Sequence, residues 1–256
     1  MGLLDGKNIL IMGIRNKWSI AWGIAKCCYD QGANLIFTYK SSHEKQPVLD
    51  LIKEFEGDYL ALQCDVENED EVNAAFETIK NEYKELHGIV HCIAHAQKED
   101  LKKDFLETSK DGYAKAMDIT SYSLILVAKH AKNLMPDGGS IVTISYYGAS
   151  KVMPGYNLMG AAKAALEANV RYLANEIGPI GIRVNSISSG PIKTISSRDI
   201  NDFNSMLEIV QKKSPLKKPV TPAEIGDSTV FLLSDLARGI TGSNLYVDNG
   251  YHIMGI

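Results

Sequence analysis

The chain has 256 residues, of which 45% are apolar and 23% charged, and its formal net charge is −4. This composition is enough for a buried core without disulfides, and the negative charge gives no reason to expect a nucleic-acid partner. No apolar run approaches the ~20 residues that span a bilayer, and the first residues lack the basic and apolar regions of a signal peptide. We therefore expect a cytoplasmic protein with no membrane partner. The four cysteines form no C-x-x-C pair, which favours free thiols over a metal site.

Apolar runs alternate with amphipathic segments along the chain. Predicted strands cover residues 7–12, 34–39, 59–65, 88–94, 139–145, 183–188 and 244–248, and predicted helices cover about 20–30, 45–55, 69–83, 110–134, 159–177 and 222–233. Continuous apolar strands that each lead into a helix predict a parallel sheet with helices on both faces. The expected fold is a doubly wound α/β sheet of Rossmann type with about seven strands, in a single domain over residues 1–256.

The segment at about 192–219 interrupts this alternation. It is polar and mixed in pattern, and it follows a predicted strand. Long excursions near the carboxyl edge of a sheet often cover a substrate. We therefore expect a substrate-binding loop here.

The first turn between a strand and a helix is the expected place for a dinucleotide pyrophosphate. It begins at Gly13, but the segment to Gly23 does not match G-x-G-x-x-G. Ser19 stands at the predicted helix start, where its backbone N–H and that of Ile20 are placed to meet an anion. A capped helix without a ligand explains this segment almost as well.

Two residues at later strand ends bear on the choice of dinucleotide. Lys40 follows the second strand, where NAD enzymes of this fold often carry an acid, so the sequence leaves NADH and NADPH both open. A solvated lysine is the simpler interpretation of Lys40. Asp65 ends the third strand, either beside the adenine or as the cap of the next helix.

Tyr156 and Lys163 form the candidate catalytic pair. A protonated phenol donates a hydrogen bond to a developing oxyanion, and an ammonium binds ribose hydroxyls. The pair is seven residues apart. If both are helical, they share a face but lie ~10 Å apart along the axis. The spacing therefore favours Lys163 as a ribose anchor over an activator of Tyr156, although a tyrosine and a solvated lysine without function would look the same in isolation.

Taken together, the motifs resemble the divergent short-chain dehydrogenase/reductases, and among them the bacterial enoyl-acyl-carrier-protein reductases. The seven-residue interval between Tyr156 and Lys163 separates these enzymes from alcohol-acting relatives, in which it is four. The matching stretches follow in order over nearly the whole chain: 13–23 (G-x5-S-I-A-W-G), 37–39 (F-T-Y), 64–66 (C-D-V), 145–149 (S-Y-Y-G-A), 156–174 (Y-N-L-M-G-A-A-K-A-A-L-E-A-N-V-R-Y-L-A), 182–194 (I-R-V-N-S-I-S-S-G-P-I-K-T) and 240–251 (I-T-G-S-N-L-Y-V-D-N-G-Y).

The resemblance implies reduction of trans-2-enoyl thioesters on acyl carrier protein to saturated thioesters, by hydride transfer from NADH or possibly NADPH, as the last reductive step of fatty acid elongation. It also implies a homotetramer. Tyr146, Tyr156 and Lys163 would be catalytic, with Ala96, Tyr146 and Tyr156 at the substrate. The implied cofactor-binding residues are Gly13, Ser19, Ile20, Lys40, Asp65, Val66, Ile93, Lys163, Ile192, Lys193 and Thr194.

Two alternative functions accompany this interpretation. A carbonyl or alcohol oxidoreductase shares the fold but requires the shorter spacing, and a non-catalytic dinucleotide-binding regulator does not require the two tyrosines.

His91 and His95 would share the face of a strand, but no third ligand completes a metal site, so none is expected. His95 departs from the family pattern and is expected near the nicotinamide or in solvent. Lysines between 212 and 218, with Arg198, form either a solvated face or a docking surface for an acidic carrier.

Overall fold

The computed structural model describes residues 2–194 and 203–255. Within these residues, seven parallel strands form one sheet in the order β3-β2-β1-β4-β5-β6-β7. The strands are β1 (Asn8–Met12), β2 (Asn34–Tyr39), β3 (Leu60–Gln63), β4 (Gly88–His91), β5 (Gly139–Tyr146), β6 (Ile182–Ser189) and β7 (Asn244–Val247). The predicted doubly wound α/β fold is confirmed.

Helices connect the strands and cover both faces of the sheet. They are α1 (Ile20–Asp30), α2 (Ser42–Ile52), α3 (Glu69–Tyr83), α4 (Lys98–Lys102), α5 (Lys110–Met117), α6 (Ser123–Ala131), α7 (Leu158–Ile177), α8 (Phe203–Lys213) and α9 (Pro222–Leu233). The bounds of α1, α3 and α9 agree with the prediction, whereas α2 begins at Ser42 rather than near Lys45. A π-helical turn, Asp118–Tyr122, joins α5 to α6 within the predicted long helix.

Alternate side chains of the strands enter two separate cores. In β1, Ile9 and Ile11 pack with α1 and α9 on one face, while Leu10 and Met12 pack with α3, α6 and α7 on the other. All four side chains are fully buried. Burial on both faces explains why these strands have no polar side in the sequence. The two cores hold the carboxyl ends of the strands in a fixed row, where the candidate site lies.

The segment predicted as a loop at 192–219 contains a helix. Phe203–Lys213 forms α8, with Phe203 and Val210 buried, so the loop prediction is wrong for these residues. Its apolar residues Phe203, Met206, Leu207 and Val210 recur at the helical spacing, but the polar character of the surrounding segment outweighed this pattern in the prediction. Arg198 lies outside the described residues. In the described parts of the chain, no helix combines the length and apolarity needed to cross a membrane.

Candidate active site

A cavity of about 830 Å³ opens beyond the carboxyl ends of the central strands. Parallel α/β sheets bind ligands at this edge, where the strand order reverses between β1 and β4. The cavity brings together residues from most of the chain. Its walls include these predicted site residues: Gly13, Ser19, Ile20, Lys40, Asp65, Val66, Ile93, Ala96, Tyr146, Tyr156, Lys163, Ile192 and Thr194.

The turn after β1 is shaped by close packing at Gly13. This residue has φ +94°, and a Cβ there would lie 2.0 Å from the Cys92 carbonyl oxygen. Ser19 precedes α1 in extended conformation, but its hydroxyl donates to the Asn16 carbonyl at 2.7 Å and does not cap the helix. The first turn of α1 therefore presents its N–H groups to the cavity without a side-chain cap, which favours an anion site over the capped-helix alternative.

Lys40 at the end of β2 is held by carboxylates. Its Nζ lies 2.6 Å from Glu67 Oε2 and 3.4 Å from Asp65 Oδ2, and Glu67 also pairs with Lys115 at 3.1 Å. Partial burial lowers the pKa of Lys40, but the hydrogen bonds and charges of Glu67 and Asp65 together outweigh burial, and the net shift is upward. Lys40 is thus an ion-paired group rather than the freely solvated lysine of the simpler interpretation.

Asp65 does not cap the following helix. Asn68 is the N-cap of α3, and its side chain accepts hydrogen bonds from the backbone N–H groups of Asp70 and Glu71. The Asp65 carboxylate instead accepts from the backbone N–H of Glu67 at 3.1 Å and faces the cavity. The capping alternative for Asp65 is therefore wrong.

Tyr156 lies before α7, not within it. The helix begins at Leu158, and its N-cap Asn157 has φ +38°, a conformation supported by the hydrogen bond from Asn157 Nδ2 to the Lys103 carbonyl at 2.8 Å. The separation expected for two helical residues therefore does not apply to Tyr156 and Lys163. Gly148 accommodates the phenol ring, because a Cβ there would lie 2.5 Å from Tyr156 Cδ1.

The two cavity tyrosines contact each other. The ring centroids of Tyr146 and Tyr156 are 4.6 Å apart, with planes at 63°, and both residues are buried. Desolvation raises the pKa of both hydroxyls well above the ordinary tyrosine value, so both remain protonated donors at neutral pH. The Tyr146 hydroxyl donates to Met206 Sδ at 3.3 Å, and Tyr156 makes no side-chain hydrogen bond to another described residue.

Lys163 is a buried ammonium on the wall of the cavity. The residue is 5% exposed, and its Nζ donates to the Ile144 carbonyl at 2.6 Å. Burial lowers the pKa of Lys163 to about 8, against the opposing effects of Cys92 and Glu167. Its remaining donors are available to a ligand hydroxyl in the cavity.

The two histidines near β4 lie in different surroundings. His91 is fully buried, with its ring nitrogens 3.0 Å from Thr143 Oγ1 and 2.8 Å from Ser123 Oγ. β4 ends at His91, so His95 lies beyond the strand, exposed at the cavity rim. Its backbone N–H donates to Thr120 Oγ1 at 3.1 Å. Among the described residues no group of histidine, cysteine, aspartate or glutamate is arranged to hold a metal ion.

Sequence reasoning missed the apolar end of the cavity. Met206, Leu101 and Met159 line it together with the two tyrosines, and all five belong to one apolar cluster. Met206 lies in the segment predicted as a loop, and Leu101 lies in the short helix α4, which has no clear period in the sequence. Lys193 is exposed and is not among the residues that line the cavity, so its binding role stays a prediction.

The chain is similar to known proteins over nearly its whole length. The family model described as Enoyl-(Acyl carrier protein) reductase matches residues 13–252. The enoyl-[acyl-carrier-protein] reductase [NADH] of Bacillus cereus is 50% identical over 100% of both chains, and that of Bacillus subtilis is 50% identical over 98% of this chain and 97% of its own. The crystal structure of the Bacillus cereus reductase with NADP+ and indole naphthyridinone matches with a TM-score of 0.98, at 50% identity and full coverage of both chains.

Proposed function

This chain belongs to the enoyl-acyl-carrier-protein reductase family, and from that premise we propose that it reduces trans-2-enoyl thioesters on acyl carrier protein to saturated thioesters, the last reductive step of fatty acid elongation. The single observation that carries the proposal is the convergence of Tyr146, Tyr156 and Lys163 on one cavity. Two protonated phenols and an ammonium suit the stabilisation of a thioester oxyanion beside a bound dinucleotide.

The cavity fits a nicotinamide dinucleotide along its polar side. The uncapped start of α1, at Ser19 and Ile20, would hold the pyrophosphate, and Asp65 and Val66 would border the adenine. Lys163 would hold the nicotinamide ribose, with Ile93, Ile192 and Thr194 along the remaining length; Lys193 is a weaker candidate. When bound, the reduced nicotinamide supplies the electron pair and hydrogen that saturate the carbon–carbon double bond.

Tyr156 is the residue that we assign to the thioester carbonyl. Its hydroxyl is a neutral donor, and it makes no side-chain hydrogen bond within the described part of the chain. Donation to the carbonyl oxygen stabilises the enolate that forms as the β-carbon is reduced. Tyr146 supports the ring of Tyr156 and closes the site, and Ala96 borders the substrate. The two buried rings exclude water from this position, so water does not compete with the Tyr156 hydroxyl for the oxyanion.

The apolar cluster is suited to the acyl chain. Leu101, Met153 and Met159 are buried next to the tyrosines, with Met206 of α8 packed against them. Methionines adapt their shape to a flexible hydrocarbon, so this wall accommodates acyl chains of more than one length.

Acyl carrier protein is the proposed macromolecular partner. The lysines between 212 and 218, at and just after the end of α8, form its proposed docking surface. Lys212 and Lys213 are exposed in the last turn of α8, near the wall that carries Met206. Lys217 donates to the Lys212 carbonyl, and Lys218 pairs with Glu224. Positive charge here would attract an acidic carrier. Lys212→Ala with Lys213→Ala should raise KM for a carrier-linked substrate but not for a coenzyme A thioester; equal effects on both would refute docking.

Assembly and location complete the proposal. The homotetramer that the family resemblance implies is part of the proposal, and Tyr172 of α7, which is 77% exposed, is a side chain that such an interface would cover. Light scattering after size exclusion tests this. The four cysteines are free thiols, which suits a reducing cytoplasm.

The function is tested by following loss of NADH and of NADPH absorbance with an enoyl thioester and, separately, with ketones. The proposal expects turnover of the enoyl thioester and little of the ketones. Turnover of ketones alone would indicate the carbonyl reductase alternative, and no turnover of either substrate would indicate a binding protein.

A further inference from the structure

The buried ammonium of Lys163 needs a compensating charge. Its hydrogen bond to the Ile144 carbonyl satisfies one donor but supplies no negative charge. Because burial lowers the pKa of Lys163 to about 8, part of the population would lose its proton in mildly alkaline solution. The ribose-binding role proposed above requires the charged, three-donor form to be maintained.

Glu167 lies one helical turn after Lys163 on α7 and has a fixed carboxylate. Its Oε1 accepts from Ser145 Oγ at 2.6 Å and from Asn244 Nδ2 at 3.1 Å, and Asn244 Oδ1 accepts in turn from Ser186 Oγ at 2.9 Å. Side chains from β5, β6 and β7 therefore set the position of this carboxylate. Since Ile144 and Ser145 are consecutive in β5, one strand end anchors both Lys163 and Glu167.

The other titratable groups around Lys163 are neutral near pH 7. Desolvation raises the pKa of Cys92 to about 11 and lowers the pKa of His91 to about 3, so the thiol and the imidazole carry no charge. Tyr156 also stays protonated. Of the groups that face Lys163 from β4, from the segment before α7 and from α7 itself, Glu167 is the one that supplies a carboxylate.

We propose that Glu167 is a positioning residue of this reductase, whose carboxylate, anchored by Ser145 and Asn244, keeps the Lys163 ammonium charged and directed into the cofactor cavity. Glu167 acts through its field, because within the described part of the chain no ion pair or hydrogen bond joins its carboxylate to the Lys163 ammonium. The inference rests on the proposed role of Lys163 at the cofactor, and it adds a residue that does not itself touch the ligand.

The test is Glu167→Gln, which keeps the shape and removes the charge, with Glu176→Gln as the control on an exposed turn of the same helix. The dissociation constant of NADH, from fluorescence, and kcat/KM for an enoyl thioester are measured from neutral to alkaline pH. In Glu167→Gln the alkaline midpoint of both profiles should fall by about half a pH unit or more. Above the midpoint, this shift makes NADH binding about threefold weaker than in the wild type at the same pH. Glu167→Asp should restore the midpoint toward wild type.

Wild-type midpoints in Glu167→Gln would overturn the proposal, as would a uniform loss of rate without a shift. Glu167→Met, which has similar length and no charge, repeats the test if the glutamine variant fails to fold. Failure of both to fold, seen by circular dichroism, would assign Glu167 a structural role and also overturn it. The binding profile is independent of turnover, so an inactive wild type would refute the reductase function and leave the test of Glu167 intact.

Discussion

Tyr146 packs edge-on against Tyr156, with ring centroids 4.6 Å apart. The contact joins the last residue of β5 to the segment before α7, two parts of the chain that the sheet edge brings together. Each ring shields the other from water, and burial raises the pKa of both hydroxyls, so both phenols stay protonated. The Tyr146 hydroxyl bonds Met206 Sδ and not Tyr156, so the Tyr156 hydroxyl is available to a ligand in the cavity.

Tyr156→Phe removes the proposed oxyanion donor and leaves the ring contact with Tyr146. We expect kcat to fall by about 100-fold, as for the loss of one oxyanion donor, with little change in NADH affinity. Steady-state kinetics and NADH titration measure the two effects. Tyr147→Phe is the matched control, since the Tyr147 hydroxyl bonds the His252 carbonyl away from the cavity. An unchanged kcat in Tyr156→Phe would remove this tyrosine from the reaction.

Lys163→Met tests the ribose contact. Loss of a charged hydrogen-bond donor costs about 1.5–3 kcal/mol, so NADH should bind at least about tenfold more weakly. Fluorescence titration at neutral pH measures the dissociation constant. Lys151→Met, at an exposed position outside the cavity lining, should bind NADH like the wild type. Equal affinity in Lys163→Met would contradict the assignment.

Glu67 is expected to disfavour NADPH. Its carboxylate binds Lys40 at 2.6 Å and places negative charge at the end of β2, where this fold puts the adenosine ribose. Glu67→Gln removes one negative charge and the shorter of the two ion pairs of Lys40, the other being with Asp65, so kcat/KM for NADPH should rise by about tenfold relative to NADH. The ratio of the two cofactor constants is the measurement. Glu54→Gln, an exposed partner of Lys26, should leave it unchanged; an unchanged ratio in Glu67→Gln would refute the idea.

His91 should make the fold sensitive to acid. Burial lowers its pKa to about 3, against an ordinary value near 6.5, so the unfolded chain takes up a proton that the native chain does not. The free energy of unfolding should therefore fall as pH drops from about 6.5 toward 3, by up to about 1.4 kcal/mol per pH unit from this group. Urea unfolding at several pH values should show a shallower slope in His91→Gln and a wild-type slope in the control His43→Gln. Equal slopes in all three would contradict it.

The main features of the fold follow from the sequence because each strand is apolar throughout and each long helix has a clear period. The ends of α1, α3 and α9 were predictable for that reason, and the π turn at Asp118–Tyr122 was not, since an inserted residue leaves the apolar pattern nearly continuous. The helix α8 has apolar residues at the helical spacing, and only the polar, mixed composition of the segment around it indicated a loop.

The site was predictable where one residue type carries the chemistry, as at Tyr156 and Lys163. Partners distant in sequence were not. Glu67 binds Lys40 because β3 and β2 are neighbours in the sheet and each of the two residues follows one of these strands. Met206 contacts Tyr146 because α8 packs against the cavity. The Ser19 hydroxyl binds the Asn16 carbonyl instead of capping α1, a choice that the local sequence does not reveal.

The most direct test of the reductase function follows the transferred hydrogen itself. The enzyme is given NADH deuterated at the transferable position of the nicotinamide and an enoyl thioester, and the product is analysed by mass spectrometry. We predict a saturated thioester that carries one deuterium on the β-carbon. Recovery of the enoyl thioester without deuterium, or deuterium at a carbinol carbon formed from the carbonyl, would contradict the proposed function.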